Sequence, residues 1–205
     1  YLRKMELIRA KIRQLGHSAH ILDAGCGEGV LVEQFRAEGY NIQGIDLNYE
    51  SDFVQRGSIL QMPYASETFQ AVLMLDVFEH ISFSEQPLAL AEIYRITCEG
   101  GVLIATIPNL AHWNARFQFV TRGELDRSDN EVNHPGERPL SENKRLLTNA
   151  GFTITELKGI TLTVPLLYRR VICRRPAAFR WLHDVLEPFA CPSLSMLTLF
   201  TCRKT

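Results

Sequence analysis

The chain has 205 residues, 46% hydrophobic and 22% charged, a composition typical of one globular domain with a substantial buried core. The formal net charge of -1 at pH 7 argues against the broad basic field that nucleic-acid binding usually requires. No CxxC pair occurs among the five cysteines, so we expect neither a disulfide framework nor a zinc knuckle. We expect the protein to be located in the reducing cytoplasm.

The first predicted element is an amphipathic helix. Met5, Ile8, Ile12 and Leu15 recur three and four residues apart, and Gly16 follows them. This mixture of charged and apolar residues is not the pattern of a signal peptide, and no stretch has the roughly 20 apolar residues of a membrane-spanning helix. We therefore expect a chain that does not cross a membrane.

Strands and helices then alternate. The apolar run AHILDAG predicts a buried strand, a helix follows from about Gly29 to Glu38, and NIQGID predicts a second strand that ends in an acid. Ser58 to Leu60 is predicted as a third strand and QAVLML as a fourth. The alternation predicts an α/β fold with a parallel sheet covered by helices on both faces.

The second half continues this order before it becomes irregular. We expect Ser84 to cap a helix that runs to Gly100–Gly101, and VLIATIP to form a fifth strand. A polar stretch, the helix SENKRLLTNAG and the strand FTITELKGI follow. Val164 to Leu194 is predicted as a helical insert before a last strand from Met196 to Cys202.

A glycine-rich loop follows the first strand. It reads Asp23-Ala-Gly25-Cys-Gly27-Glu-Gly29, a GxGxG spacing that differs from the GxGxxG of dinucleotide-binding loops. Glycines at such a turn let the backbone approach a ligand closely. A tight strand–helix turn without a ligand is the alternative interpretation.

The stretch LDAGCGEG resembles the first motif of class I S-adenosylmethionine-dependent methyltransferases. GIDLN, GSILQMPYASETFQAVLMLDVFEHI and GGVLIATIPN match later motifs in order, over roughly residues 18–110, with a looser match through HPGERPLSENKRLLTNAGF. The resemblance implies one Rossmann-like α/β domain over residues 1–205, with a seven-stranded, mostly parallel sheet and an antiparallel last strand. It also implies S-adenosyl-L-methionine as cofactor and S-adenosyl-L-homocysteine as product.

The resemblance also implies which residues bind the cofactor. Asp46 would accept hydrogen bonds from both ribose hydroxyls, and the glycine loop would lie along the methionine end with Asp23 near its amino group. Ser58 stands where the family commonly has an Asp that binds the adenine amino group, and Ile59 would pack on the adenine face. The complete predicted set is Asp23, Gly25, Cys26, Gly27, Gly29, Asp46, Leu47, Ser58, Ile59, Leu75 and Asp76.

Methyl transfer mainly requires alignment of the acceptor with the methyl group, and a base is needed only for a poorly ionised acceptor such as a hydroxyl. We expect His80 to be this base, with His134 and then His112 as further candidates. A histidine that only ties the loop is an equally open interpretation of His80.

A metal site is an alternative use of the same residues. Asp76-x-x-Glu79-His80 resembles the metal-binding ExxEH stretch of small-RNA 2′-O-methyltransferases and ubiquinone-pathway O-methyltransferases, and His134 could complete a set for Mg²⁺, Mn²⁺ or Zn²⁺. Asp in place of the first Glu shortens the reach, so the main prediction contains no metal.

The expected acceptor is an oxygen atom of a small molecule, a sugar or a lipid-linked intermediate. IPNLAHWNARFQFVTRGELD resembles MetW-like methyltransferases, so Asn109, His112, Trp113 and Arg116 could line the acceptor site, or Trp113 could simply pack a helix on the core. The basic insert could contact an anionic membrane surface, or it could be a solvated helix; its arginines are Arg169, Arg170, Arg174, Arg175 and Arg180.

Three rival functions stay open at this point. One is a protein that binds S-adenosylmethionine without transferring its methyl group. Another is a metal-assisted RNA 2′-O-methyltransferase, and the third is a nicotinamide oxidoreductase, which the GxGxG spacing disfavours.

Overall fold

The computed structural model describes residues 2–125, 133–162, 185–186 and 189–205. Within them the chain forms a seven-stranded sheet flanked by helices. The helices are α1 (Leu2–Leu15), α2 (Val30–Ala37), α3 (Gln86–Ile96), α4 (Trp113–Arg122) and α5 (Leu140–Asn149). The strands are β1 (Ile21–Ala24), β2 (Ile42–Asp46), β3 (Val54–Arg56), β4 (Phe69–Leu75), β5 (Thr97–Pro108), β6 (Phe152–Ile160) and β7 (Leu197–Lys204).

The sheet has a core on each face. One core combines β-strand side chains with α3 and α5, and Phe69, Phe78 and Phe200 are fully buried in it. The other contains Ile8 and Ile12 of α1 and Phe35 of α2. Apolar side chains that alternate along the strands supply both cores, as expected for a sheet covered by helices.

The strand order is β3-β2-β1-β4-β5-β7-β6. The chain proceeds outward from β1 through β2 to β3 and then returns to place β4 on the other side of β1, so the order reverses between β1 and β4. In open α/β sheets a ligand crevice lies at this switch point, beyond the carboxyl ends of the strands. The loops that follow Ala24 and Leu75 meet there.

The predicted fold class is confirmed. The first five strands pair in parallel, and β7 is antiparallel to both β5 and β6. The predicted first helix and the predicted strand 152–160 are also confirmed.

Three local predictions are wrong. α3 ends at Ile96 rather than at Gly100–Gly101, since β5 already begins at Thr97. The third strand is Val54–Arg56, not Ser58 to Leu60, because Ser58 starts a turn in which its Oγ accepts from the N–H of Leu60. Ser84 does not cap α3: the helix begins at Gln86 without a side-chain cap, and the Ser82 carbonyl accepts from the N–H groups of Glu85 and Gln86 instead.

Most of the predicted insert lies outside the described residues, including all five of its arginines. Among the helices that the structure describes, none is long and apolar enough to cross a membrane.

Candidate functional site

A cavity of about 370 Å³ lies at the switch point of the sheet. Its walls come from α1, from the glycine-rich loop, from α2 and from the end of β4. Four of the predicted cofactor contacts line it, namely Asp23, Gly25, Cys26 and Leu75. The cavity therefore lies where the sequence motifs predict the methionine end of the cofactor.

The glycine-rich loop is tied to the end of the second strand. The N–H of Gly27 donates to Oδ2 of Asp46 over 2.8 Å, and the N–H of Asn48 donates to Oδ1 over 2.9 Å. Each carboxylate oxygen keeps a further lone pair for a ligand hydroxyl. The Asp46 carboxylate is thus fixed in orientation and can still bind a diol.

Asp23 is 3% exposed at the end of β1. Burial, with a further contribution from the nearby charge of Asp46, raises the pKa of its carboxyl from 3.8 to about 7. A cation in the cavity would favour the ionised form of the Asp23 carboxyl. This charge distribution fits a cofactor that carries an ammonium and a sulfonium group.

Gly29 has a packing role that the motif alone does not reveal. Its φ is +78°, and a Cβ at this position would lie 2.5 Å from Cγ2 of Val54 in β3. The absence of a side chain therefore lets the start of α2 pack directly on the sheet.

Cys26 is a packing residue within the loop. Its Sγ lies against the backbone of Gly44, where a Cβ would come within 2.4 Å of it. Burial, with the charges of Asp23 and Asp46, raises the pKa of the Cys26 thiol to about 12. The thiol is consequently protonated at neutral pH and is no nucleophile.

The predicted adenine and ribose contacts lie beyond the cavity. Ser58 uses its hydroxyl within its own turn, Ile59 packs against the core on one face of the sheet, and Leu47 is exposed. Of the residues predicted to lie near the adenine and ribose, Leu47 is thus open to solvent and Ile59 offers a partly buried apolar side chain.

Asp76 follows β4 in a left-handed conformation, with φ of +54°. The hydroxyl of Thr106 donates to its Oδ1 over 2.6 Å, and Lys4 of α1 forms an ion pair with its Oδ2. A non-glycine residue in this conformation is strained and marks a constrained position. The ion pair brings α1 across the crevice.

Glu79, His80 and His134 form a cluster beside Asp76. One potential ligand atom from each lies within 4.8 Å of the others. Glu79 is 3% exposed, its Oε2 has no hydrogen-bond partner, and burial raises its pKa to about 8. The structure therefore brings together the two predicted catalytic histidines and the acid that precedes His80.

The His80 ring is held by a backbone carbonyl. Its Nδ1 lies 2.8 Å from the Asn133 oxygen. A carbonyl only accepts, so Nδ1 carries the proton and Nε2 of the neutral ring is left with its lone pair. This tautomer is the one that a base or a metal ligand at Nε2 requires.

A buried glutamine holds the His134 segment against the segment that carries His80. Gln86 is fully buried, and its Nε2 donates to the carbonyls of Phe78, Ile81 and Gly136. Gly136 also donates from its N–H to the Glu79 carbonyl over 2.9 Å. The pairing of His80 with His134 thus depends on this hydrogen-bond network.

The other candidates after β5 have structural roles. His112 is buried, and its Nδ1 caps α4 by accepting from the N–H of Ala115. The amide of Asn109 donates to three carbonyls in the segment before β7. Trp113 stays 44% exposed, so it is available at the surface but does not enter the described cavity.

Sequence reasoning missed the contribution of α1. Lys4, Glu6 and Arg9 line the cavity, although the sequence pattern indicated only an amphipathic helix. The spacing of these three residues along the helix does not indicate which parts of the sheet they lie next to.

Comparison with known proteins agrees with this geometry. The sequence profile of the methyltransferase domain matches residues 1–157. The malonyl-[acyl-carrier protein] O-methyltransferase of Erwinia pyrifoliae is 30% identical over 156 residues, which are 68% of this chain and 56% of that protein. The ubiquinone biosynthesis O-methyltransferase of Rickettsia canadensis is 27% identical over 156 residues, with 68% and 65% covered. The chain thus spans less than two thirds of either relative.

Solved structures share the fold. An S-adenosylmethionine-dependent methyltransferase from Mesorhizobium loti aligns with a TM-score of 0.62 at 14% identity, covering 97% of this chain and 96% of that one.

Proposed function

Because the chain belongs to the class I S-adenosylmethionine-dependent methyltransferase family, we propose that it transfers the methyl group of S-adenosylmethionine to an oxygen atom of a small molecule, a sugar or a lipid-linked intermediate. The observation that carries the proposal is the Gly27–Asp46 hydrogen bond beside a cavity that contains the buried Asp23 carboxylate. These groups match a ribose diol and an ammonium group. The O-methyltransferases named among the relatives support oxygen as the accepting atom.

The bound cofactor supplies a methyl group on a sulfonium, which is already a good leaving group. The chain has to bind it, exclude water and align the acceptor. Leu75 and Asp76 lie at the end of β4, where the acceptor would approach the cavity. A hydrogen bond from Thr106 and an ion pair with Lys4 fix the Asp76 side chain there. The side chain therefore has a defined position next to the reacting groups.

An acceptor hydroxyl has to lose its proton during transfer. His80 would take that proton at Nε2, while Nδ1 stays hydrogen-bonded to the Asn133 carbonyl. The imidazolium formed would lie beside the Glu79 carboxyl and the His134 ring. In this proposal the His134 side chain is a further polar group that lines the acceptor site.

Metal-assisted transfer is a second candidate, favoured by one observation. Glu79, His80 and His134 could ligate one ion, and the buried Oε2 of Glu79 lacks a hydrogen-bond partner. Metal analysis of the purified protein, with activity after chelation, separates the two. Full activity without metal excludes the metal, and activity restored by Mg²⁺, Mn²⁺ or Zn²⁺ excludes His80 as the base.

The proposal is tested by binding and turnover. Calorimetry is expected to detect S-adenosylhomocysteine binding, and a screen of quinones, sugars and lipid extracts with labelled cofactor is expected to find an acceptor. A protein that binds the cofactor but methylates nothing would support the rival non-catalytic function. A protein without affinity for either form of the cofactor would contradict both.

A further inference from the structure

Two chain segments meet at the His80 ring, and a glycine lets them approach closely. The ring donates from Nδ1 to the Asn133 carbonyl over 2.8 Å. The N–H of Gly136 donates to the Glu79 carbonyl over 2.9 Å. A Cβ at Gly136 would overlap the Ile81 carbonyl oxygen, so only glycine fits there. The hydrogen bond at Nδ1 of the ring therefore depends on how the second segment is held against the first.

The buried side chain of Gln86 joins the two segments. Its NH2 group faces the Gly136 carbonyl of the second segment and the carbonyls of Phe78 and Ile81 in the first. The oxygen atom of the same amide, Oε1, points the other way. Because Gln86 is fully buried, this oxygen needs a donor from the protein as well.

Arg138 supplies that donor. Its Nε donates to Oε1 of Gln86 over 2.7 Å, and this is the only hydrogen bond to that oxygen among the residues that the structure describes. A donor that carries a charge makes a stronger hydrogen bond than a neutral one. Loss of the guanidinium would leave a buried oxygen without a partner, which is unfavourable. Gln86 could regain a partner only by turning its amide away from the three carbonyls.

The position of Arg138 is itself set by the sheet. Its carbonyl accepts from the N–H of Leu110, just after β5, over 3.0 Å. Its Nη1 donates to Glu142 over 2.9 Å, and its guanidinium carbon lies 4.2 Å from the centroid of the Phe83 ring. The side chain is 17% exposed. The guanidinium is thus held at the end of β5, with its Nε–H directed to Gln86.

We propose that Arg138 is a positioning residue for the base of the reaction. It orients Gln86, which in turn keeps the Asn133 carbonyl within reach of the His80 ring. Nδ1 of that ring then carries the proton, and the lone pair stays on Nε2, the atom that would face an acceptor hydroxyl. The inference rests on the proposed function, in which His80 is the base, and assigns the choice of its tautomer to a residue before α5.

The test determines the tautomer of His80 by NMR of the ring nitrogens in isotopically labelled, ligand-free protein. His80→Asn lacks this ring and so identifies its signals. At a pH where the ring is neutral, we expect the Nδ1–H form to predominate in the wild type. Arg138→Leu is expected to lower the ratio of the Nδ1–H form to the Nε2–H form about 10-fold, as for the loss of one hydrogen bond. Its affinity for S-adenosylhomocysteine, measured by calorimetry, should equal that of the wild type because Arg138 does not line the described cavity.

Three further variants separate the orientation of Gln86 from charge and stability. Arg138→Lys keeps the charge but has no N–H at the position of Nε, so it should shift the tautomer as Arg138→Leu does. Should Arg138→Leu fail to fold, Arg138→Lys decides the inference. Glu142→Gln removes the ion pair and keeps the donor to Gln86, so the wild-type tautomer is expected. Arg145→Leu, at an exposed arginine of α5, is the matched control and should also keep it.

The results separate this inference from the proposed function. An Arg138→Leu protein that is less stable but keeps the Nδ1–H form overturns the inference, because that result indicates a structural role alone. A wild-type His80 ring in the Nε2–H form overturns the inference and contradicts His80 as the base. Wild-type protein that does not bind S-adenosylhomocysteine contradicts the proposed function alone, since the tautomer comparison requires no ligand.

Discussion

The N–H of Gly27 and the carboxylate of Asp46 are joined by a 2.8 Å hydrogen bond that links the loop after β1 to the end of β2. The same carboxylate accepts from the N–H of Asn48. One side chain therefore sets the position of the glycine-rich loop and presents oxygen atoms to a ligand.

Replacement of Asp46 by Asn is expected to weaken S-adenosylhomocysteine binding about 100-fold. Whichever way the amide is turned, its NH2 group faces one of the two backbone N–H donors, and the charge that would bind the ribose is lost. Calorimetry measures the loss. The matched control is Asp52→Asn, at an exposed acid in the turn after β2, and its affinity should equal that of the wild type. Unchanged affinity in Asp46→Asn would contradict the diol assignment.

The raised pKa of Asp23 predicts a pH dependence of stability. Because its folded pKa of about 7 exceeds the ordinary 3.8, the folded ligand-free protein holds this proton more tightly than the unfolded chain does. The free energy of unfolding should therefore fall as pH rises from about 4 to 7, and no further above that range. Asp23→Asn removes this contribution, as urea denaturation at pH 5 and pH 8 would measure.

Ligand binding should show the reverse dependence at the same residue. An ammonium group favours ionised Asp23, so S-adenosylhomocysteine affinity should rise with pH through about 7, with release of a proton. Calorimetry in two buffers of different ionisation enthalpy counts that proton. Glu28→Gln, at an exposed acid in the same loop, serves as control and should keep the wild-type pH profile. An identical profile in Asp23→Asn would contradict the prediction.

Replacement of His80 by Asn is expected to lower the rate of methyl transfer about 100-fold or more while S-adenosylhomocysteine affinity stays within about twofold. Asparagine can still donate to the Asn133 carbonyl but accepts no proton. Labelled methyl transfer to an identified acceptor measures the rate. His17→Asn, at an exposed ring that stacks on Tyr40, is the control. Full activity in His80→Asn would contradict the role of His80 as the base and leave it a structural role only.

Replacement of Gln86 by Ala is expected to reduce the free energy of unfolding by about 2–4 kcal/mol, because buried carbonyls lose their donor and a cavity forms. Methyl transfer should fall as well, since His134 loses its fixed position beside His80. Denaturation and activity assays measure the two effects. Gln61→Ala, at an exposed glutamine, should change neither. Loss of stability with full activity would separate the network from the reaction.

The sequence predicted the parts of the site that local spacing determines. Gly25 and Gly27 follow β1 and Asp46 ends β2, and the alternation of strands and helices sufficed to place these segments at one edge of the sheet. β3 escaped prediction because Val54 is the only apolar residue in Val54–Arg56. A strand so short has no periodicity to detect.

The rest of the site depends on tertiary packing. The amphipathic pattern of α1 predicted that Ile8 and Ile12 are buried, but not that Lys4 reaches Asp76 or that Arg9 reaches Gln34 of α2. The contact between His80 and His134 depends on Gln86. Its NH2 group shares its two hydrogens among three backbone carbonyls that only the folded chain brings together.

Because β7 lies between β5 and β6 in the sheet, the strands cannot all pair in the order in which they are synthesised. Strands β1 to β5 can pair with one another as soon as each has left the ribosome, whereas β6 pairs with β7 alone among the described strands. β6 must therefore wait with unpaired edges until residues 197–204 have emerged and inserted beside β5. Such a long-range closure slows folding and exposes strand edges to association with other chains, so a nascent chain stalled before β7 is the form most prone to aggregate.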